Sequence, residues 1–461
     1  MNSFNRISSK LILLCACCAY CGIATAQDSG KSALEKAMNV PGAKVTLPVK
    51  VAKEPFDKEF VDEARENFSN FHMQMGGDHA LYYNSHLTEL IPAALASASG
   101  PVSVLERKPT PGLGSLTYTL GDGTDSQPLD DYVDADDTRL QGIMILHKGR
   151  VVYEVYPGIS PEELHIWASV SKTAVGTLLT MLEAEGVVDT AKPITEYVPD
   201  LKGTAWDKVS VINAMNMQAG LDIAETEEAS MNPRSVFQRV LASDFGVPNA
   251  DGKQERTMDV LAEAVPLKGE EPGMASRYSS VITRTLVDVI EDATNRTFTS
   301  LFEERIWSKI GARSPAAINL TPEGAAIAYG LINSRLDDLA RYALVFTPSW
   351  NVVSGEQVIS PEVLEMMQTS GSREAYEKGD FPGHSWVKSS FAIEGMPIFN
   401  SRQWDAVWAD GAMFKHGNLF QGIYVDPKRD VVGVYFSTSP ITNVDVAPGY
   451  LREAAKLLAG E

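Results

Sequence analysis

Cysteine is almost missing from this chain. Of 461 residues only four are cysteine, at positions 15, 17, 18 and 21. Beyond residue 26 there is therefore no thiolate nucleophile, no disulfide and no Cys-ligated zinc. Histidine is sparse as well: the seven residues are scattered. His79 and His86 are too far apart for one helical turn, so no metal-ligand set forms and neither a metal nor a cofactor is expected. Positive charge is in deficit, with 40 Lys and Arg against 60 Asp and Glu and a net charge of −20. Such a surface repels phosphate backbones and anionic lipid headgroups, which leaves a small-molecule substrate rather than nucleic acid as the expected partner. Long apolar runs are missing but for "LILLCACCAYCGI". It follows Arg6 and Lys10 and precedes Ala24-Thr25-Ala26. That is the pattern of a secretory signal peptide over residues 1–26, too short to be an anchor. Lipoprotein cleavage at Leu14-Cys15-Ala16-Cys17 fits less well. The expected location is periplasmic or secreted, with no membrane insertion once the signal is removed. The sequence leaves the oligomeric state open.

What is present is apolar mass. Apolar residues make up 44 % of the chain, enough for a large core. Residues 27–130 read as a lead-in and extension packed on a main domain over 131–461. Within the extension, 56–75 has the spacing of one helix, and "SLTYTL" (115–120) suggests a short strand in a Pro/Gly-rich loop. "LQGIMILHKGRVVYEVYP" (140–157) is a hairpin around Lys148-Gly149, and "FQGIYVDPKRDVVGVYFST" (420–438) repeats the pattern. Helical periodicity fills the interval, at 169–185, 209–217, 278–293, 297–310, 335–346 and 361–368. "VAPGYLREAAKLLAG" closes the chain as a final helix. Strands from distant segments around a helical middle predict an α+β fold: an antiparallel sheet flanked by helices plus a mainly helical subdomain.

Chemistry concentrates in "WASVSKTAVGTLLTMLEAEG" (167–186). Ser169 and Lys172 are three residues apart at the start of an apolar helical run, so both face one way. Burial would lower the lysine pKa, and the resulting amine could activate the weak serine nucleophile. The Ser169 N–H, at the helix start, is free to stabilise an oxyanion. The alternative is a solvent-reaching lysine and a capping serine. A second Ser-x-x-Lys, at Ser385 and Lys388, lacks a helical pattern behind it. Tyr278, before another helix in "RYSSVITRTLVDVI", is a candidate proton carrier if nearby cations lower its pKa. In "FKHGNLFQG", Gly417 would let a substrate approach the backbone. Asn418 could supply a second oxyanion N–H, and Lys415 could keep Tyr278 active. Tyr278 also reads as a core tyrosine, and "KHG" as a simple turn.

Together these stretches resemble the serine β-lactamase-like superfamily, in the branch of class C β-lactamases, esterases and D-amino-acid peptidases. "VSVINAMNMQAGLD", "INSRLDDLARYAL" and "QGIYVDPKRDVVGVYFS" resemble further landmarks of that family in the family's order, from about residue 130 onward. The stretch from about 60 resembles the subgroup similar to 6-aminohexanoate-dimer hydrolase. The resemblance implies a β-lactamase/transpeptidase-like fold and an acyl-enzyme mechanism. Ser169 would be the nucleophile, Lys172 its base and Tyr278 a second acid/base, with the N–H groups of Ser169 and Asn418 as oxyanion hole. Two departures stand out. Tyr278-Ser279-Ser280 replaces Tyr-x-Asn, which puts β-lactam hydrolysis in doubt, although Ser280 can keep part of the substrate contact. His416 replaces Thr or Ser, which weakens carboxylate recognition.

The expected function is thus an exported serine hydrolase cleaving a small ester or amide. A D-amino peptidase, a weak β-lactamase or a non-catalytic binding protein on the same scaffold are the alternatives. His165 reads as structural. Trp386 reads as a wall of the substrate cleft, Trp404 and Trp408 as cleft or core, and "DDYVDADD" (130–137) as a solvated loop.

Overall fold

The computed structural model describes residues 39–461; the signal peptide expected over 1–26 lies outside the described residues. The strands are β1 (Ala93–Ala96), β2 (Leu140–His147), β3 (Arg150–Val155), β4 (His165–Ile166), β5 (Ala316–Asn319), β6 (Ile332–Ser334), β7 (Phe399–Ser401), β8 (Trp404–Val407), β9 (Met413–Gly417), β10 (Gln421–Asp426) and β11 (Val431–Ser437). The main sheet is antiparallel in the order β3-β2-β11-β10-β9-β8-β7, and a small sheet runs β1-β5-β6-β4. The two hairpins expected from sequence are β2–β3 and β10–β11. Lys148 and Gly149 both have left-handed φ, 50° and 71°. Two such residues suit a tight hairpin whose twist matches the strands.

The main sheet is buried on both faces, which explains its near-continuous apolar strands. Met144 and Leu146 of β2 join a core containing Leu339 and Ala340 of the Leu336–Leu344 helix. Ile143 and Ile145 point the other way, into a core with Tyr450 and Leu451 of the Ala447–Ala459 helix. Helices dominate between β3 and β7. Two of them, Lys172–Ala184 and Ser280–Thr294, are buried along most of their length. Gly186, at φ 72°, follows the first of these as expected of a residue that ends a helix in the left-handed region.

Four local expectations are corrected. The 56–75 helix is two helices, Lys58–Glu66 and Asn70–Met75, because Asp57 and Ser69 each cap a new start by accepting the N–H of Phe60 and of His72. "SLTYTL" makes only a single bridge, Thr119 to Asp125, and its Tyr118 hydroxyl instead donates to Val446 O at 2.7 Å. Leu129–Asp134 is a helix rather than a solvated loop, and it buries Leu129, Tyr132 and Val133 at i, i+3 and i+4. The second Ser-x-x-Lys also forms a helix, the short turn Ser385–Ser390, but its Lys388 is exposed.

The stretch before residue 130 is woven into the part of the molecule that carries Ser169 and Asn418. β1 adds to β5. Asn84 O accepts the N–H of Ile166 at 2.8 Å, three residues before Ser169. The Asn418 amide donates to Gln74 O at 3.1 Å. Asp78 forms a buried ion pair with Arg139 at 3.2 Å.

Candidate active site

Ser169 stands in a 3-10 turn, Ala168–Ser171, that runs directly into the Lys172–Ala184 helix. A 3-10 turn eclipses residues i and i+3, so Lys172 lies over Ser169 more directly than an α-helical start would place it. The turn is held from behind by Trp167. Its backbone N–H donates to Ile332 O at 2.8 Å, and its indole N–H donates to Ser334 Oγ at 2.8 Å. Ala168 has φ 44°, an unfavourable value for a residue with a Cβ, imposed by surroundings that aim the next side chain outward.

Lys172 is fully buried. Its Nζ lies 2.9 Å from Ser169 Oγ, 2.9 Å from Ser280 Oγ and 2.6 Å from the carbonyl oxygen of Tyr329. An ammonium can donate to all three, and a neutral amine is accommodated as well. Its two N–H groups can donate to Tyr329 O and Ser280 Oγ, and its lone pair can accept the Ser169 O–H. Burial drives the Lys172 pKa down to about 7; Glu225 opposes that shift, Lys415 adds to it and Asp405 opposes it.

Tyr278 departs from expectation. Burial, with Asp405 and Glu225 adding to it, raises its pKa far above the usual range, and the nearby Ser169 hydroxyl acts weakly the other way. The phenol stays protonated. Lys415 is near it, with Nζ 3.4 Å from the Tyr278 hydroxyl and 4.5 Å from the ring centre. That cation is not free to stabilise a phenolate, because Asp405 holds it at 2.5 Å. Asp405 also accepts the N–H of His416 at 3.1 Å, which ties β8 to β9 beneath the site.

The end of β9 abuts the turn that carries Ser169. A Cβ on Gly417 would meet Trp167 O at 2.9 Å and Ala168 Cβ at 3.2 Å, so only glycine lets the strand approach this closely. Asn418, the next residue, has an N–H with no backbone acceptor among the described residues. The His416 ring stacks on Trp386 at 5.5 Å with 6° between planes, and its Nε2 lies 3.1 Å from the Asp445 carboxylate. Trp386 is 4 % exposed, so it backs His416 from the core instead of lining a cleft; Trp404 and Trp408 are also buried. His165 is structural, as expected: it is buried, with Nε2 2.8 Å from Gln141 Oε1 and Nδ1 2.8 Å from Ile166 O.

A family model described as Beta-lactamase matches residues 129–457. The chain belongs to the Beta-lactamase family. A 6-aminohexanoate-dimer hydrolase of Paenarthrobacter ureafaciens is 28 % identical over 363 residues, 77 % of this chain and 84 % of that protein. A Bacillus anthracis structure named provisionally as a 6-aminohexanoate-dimer hydrolase superposes with a TM-score of 0.65 at 22 % identity, covering 90 % of this chain and 99 % of that one. EstCE1, a hydrolase with promiscuous acyltransferase activity, gives 0.51 at 16 % identity over 71 % and 96 %. Membership makes this chain a serine hydrolase of β-lactamase/transpeptidase-like fold, in a family with esterase, amidase and β-lactamase members.

Ser280 has a contact that the sequence did not indicate: its hydroxyl accepts from Lys172 Nζ at 2.9 Å, which leaves its own O–H to donate elsewhere. Sequence reasoning also missed three groups that complete the site: Asp405, Glu225 and the Tyr329 carbonyl. Only Asp405 carries a local signal, a carboxylate inside an apolar strand ten residues before Lys415. Among the described residues no group of His, Cys, Asp or Glu could hold a metal ion, and no helix is long and apolar enough to cross a membrane.

Proposed function

We propose that this protein is an exported serine hydrolase that cleaves a small ester or linear amide through an acyl-enzyme on Ser169. The observation that carries this reading is the fully buried Lys172 amine 2.9 Å from Ser169 Oγ, with a pKa near 7. In the proposed cycle Lys172 takes the Ser169 proton as Oγ adds to the substrate carbonyl. The oxyanion faces the N–H groups of Ser169 and Asn418. Tyr278, a neutral phenol, donates a proton to the leaving oxygen or nitrogen as that bond breaks, and the Lys172 ammonium returns a proton to Tyr278. Water then repeats the sequence on the acyl-serine.

The charge around the site favours an uncharged or cationic substrate. Lys415 is matched by Asp405, and Glu225 lies close enough to act on both Lys172 and Tyr278. An anionic β-lactam would meet that carboxylate while Lys415 is already paired with Asp405, and the Ser280 hydroxyl, which already accepts from Lys172, has a shorter polar reach than the amide of the family's Tyr-x-Asn. The relative from Paenarthrobacter ureafaciens is named a 6-aminohexanoate-dimer hydrolase, and a dimer of an amino acid is joined by an amide, which supports an amide among the candidate substrates. A fluorophosphonate probe followed by a screen of short esters, linear amides and a chromogenic cephalosporin tests the reading. Labelling should occur at Ser169 and vanish in Ser169→Ala. Labelling elsewhere, or hydrolysis surviving in Ser169→Ala, would overturn it.

A further inference from the structure

Helix Ser280–Thr294 carries the third residue of the tyrosine motif at its first position, yet its N-cap, Ser279, makes no side-chain cap bond. The Ser279 hydroxyl is used elsewhere, donating to Ile223 O at 2.6 Å. The cap comes from a residue 55 positions away: Glu225 Oε1 accepts the Ser280 N–H at 2.5 Å. The same residue is fastened in return, its own N–H donating to Tyr278 O at 2.9 Å. Residues 223–225 and 278–280 are thus laced together by three hydrogen bonds across the motif that bears Tyr278 and Ser280. Ser280 Oγ, one residue from this clamp, is 2.9 Å from Lys172 Nζ.

We propose that Glu225 is a positioning residue of this site, whose carboxylate holds Ser280 and through it Lys172, and places a negative charge beside the amine. The inference rests on the reading of Lys172 as the base of Ser169. Glu225 is partly exposed, and one hydrogen bond leaves most of its lone pairs for water or a donor group of the substrate. The groups that face it and the amine are Lys172, Lys415, Tyr278, Tyr329, Asp380 and Asp405. Among these, Lys415 is the only other basic side chain, and Asp405 pairs with it. Glu225 is the largest influence keeping the Lys172 ammonium from becoming still more acidic.

The sign follows. Lys172 acts only when deprotonated, so Ser169 reactivity rises with pH through the lysine pKa. A negative charge raises that pKa, and its removal moves the rise to lower pH. The test is the second-order rate of fluorophosphonate labelling at Ser169 from pH 5 to 10, which needs no knowledge of the natural substrate. Wild type should rise near pH 7. Glu225→Gln keeps an acceptor for the Ser280 N–H and loses the charge. Its rise should fall at lower pH by about one unit, with the plateau rate within roughly threefold. Glu225→Ala loses the clamp too, and its plateau should drop tenfold or more. An unshifted or upward-shifted Gln variant overturns the inference, as does an Ala variant with the wild-type plateau. A wild-type profile with no rise between pH 5 and 10 overturns the reading of Lys172 itself and this inference with it. A normal wild-type rise with an unshifted Gln variant overturns the inference alone.

Discussion

Replacing Lys172 by methionine should abolish activity and make the protein more stable at neutral pH. The unfolded lysine has a pKa of 10.5, and in the folded site burial lowers it to about 7. Between those values the unfolded chain binds more protons than the folded one, so stability rises with pH in that window and the full penalty is felt below it. At pH 7 folding removes about half a proton from this group, against a gap of about 3.5 units at 1.36 kcal/mol each. Half of the folded molecules keep the proton there, so the penalty is about 4 kcal/mol at pH 7 and falls to about 1.5 kcal/mol at pH 9.5. Methionine has similar length, no charge and no penalty. It leaves the buried Tyr329 carbonyl without its Lys172 donor, which costs about 1–3 kcal/mol at any pH. The variant should therefore gain roughly 1–3 kcal/mol over wild type at pH 7 and lose that advantage by pH 9.5. The decisive quantity is the change of the difference with pH, about 3 kcal/mol, because the lost contacts do not titrate. Reversible urea unfolding of both proteins at pH 7 and 9.5 measures it. A difference that does not change with pH, or one that grows toward pH 9.5, would refute the argument that Lys172 is held neutral by burial.

Three further expectations follow from the same geometry. Asp405→Asn leaves the fully buried Lys415 without its counter-charge and should cost about 3–5 kcal/mol in urea unfolding at pH 7; adding Lys415→Met should recover most of it, and a double variant no more stable than the single one would show that the pair is not the cause. Gly417→Ala puts a methyl 2.9 Å from Trp167 O, which should push the end of β9 off the Ser169 turn and lower kcat/KM on an ester by roughly tenfold to a hundredfold; unchanged kinetics would mean that this approach does not shape the oxyanion site. A short-chain p-nitrophenyl ester should be cleaved far better than a chromogenic cephalosporin, and a wild-type kcat/KM that favours the cephalosporin would contradict the substrate argument made from Ser280 and Glu225.

Local features were legible in the chain before any tertiary contact was known. Ser169 and Lys172 meet because they stand three positions apart on one helical turn, and no distant contact is needed to bring them together. The Lys148-Gly149 hairpin and the ending of a helix at Gly186 are equally local, since a left-handed φ is a property of one or two residues. Family order in the motifs added the roles expected of Tyr278 and the 415–418 stretch. Where local signals competed, the reading failed: Asp57 and Ser69 each started a helix that periodicity had merged, and the acids of 130–137 hid the buried stripe of Leu129, Tyr132 and Val133. What tertiary structure decided is the electrostatics of the site. Glu225, Asp405 and the Tyr329 carbonyl reach Ser280, Lys415 and Lys172 from separate elements, and no spacing rule connects a carboxylate to an N–H 55 residues away. Protonation depends on the same long-range packing. Burial makes the Lys172 amine available as a base while holding the Tyr278 phenol neutral, because desolvation disfavours the charged form of each: the cation of one, the anion of the other.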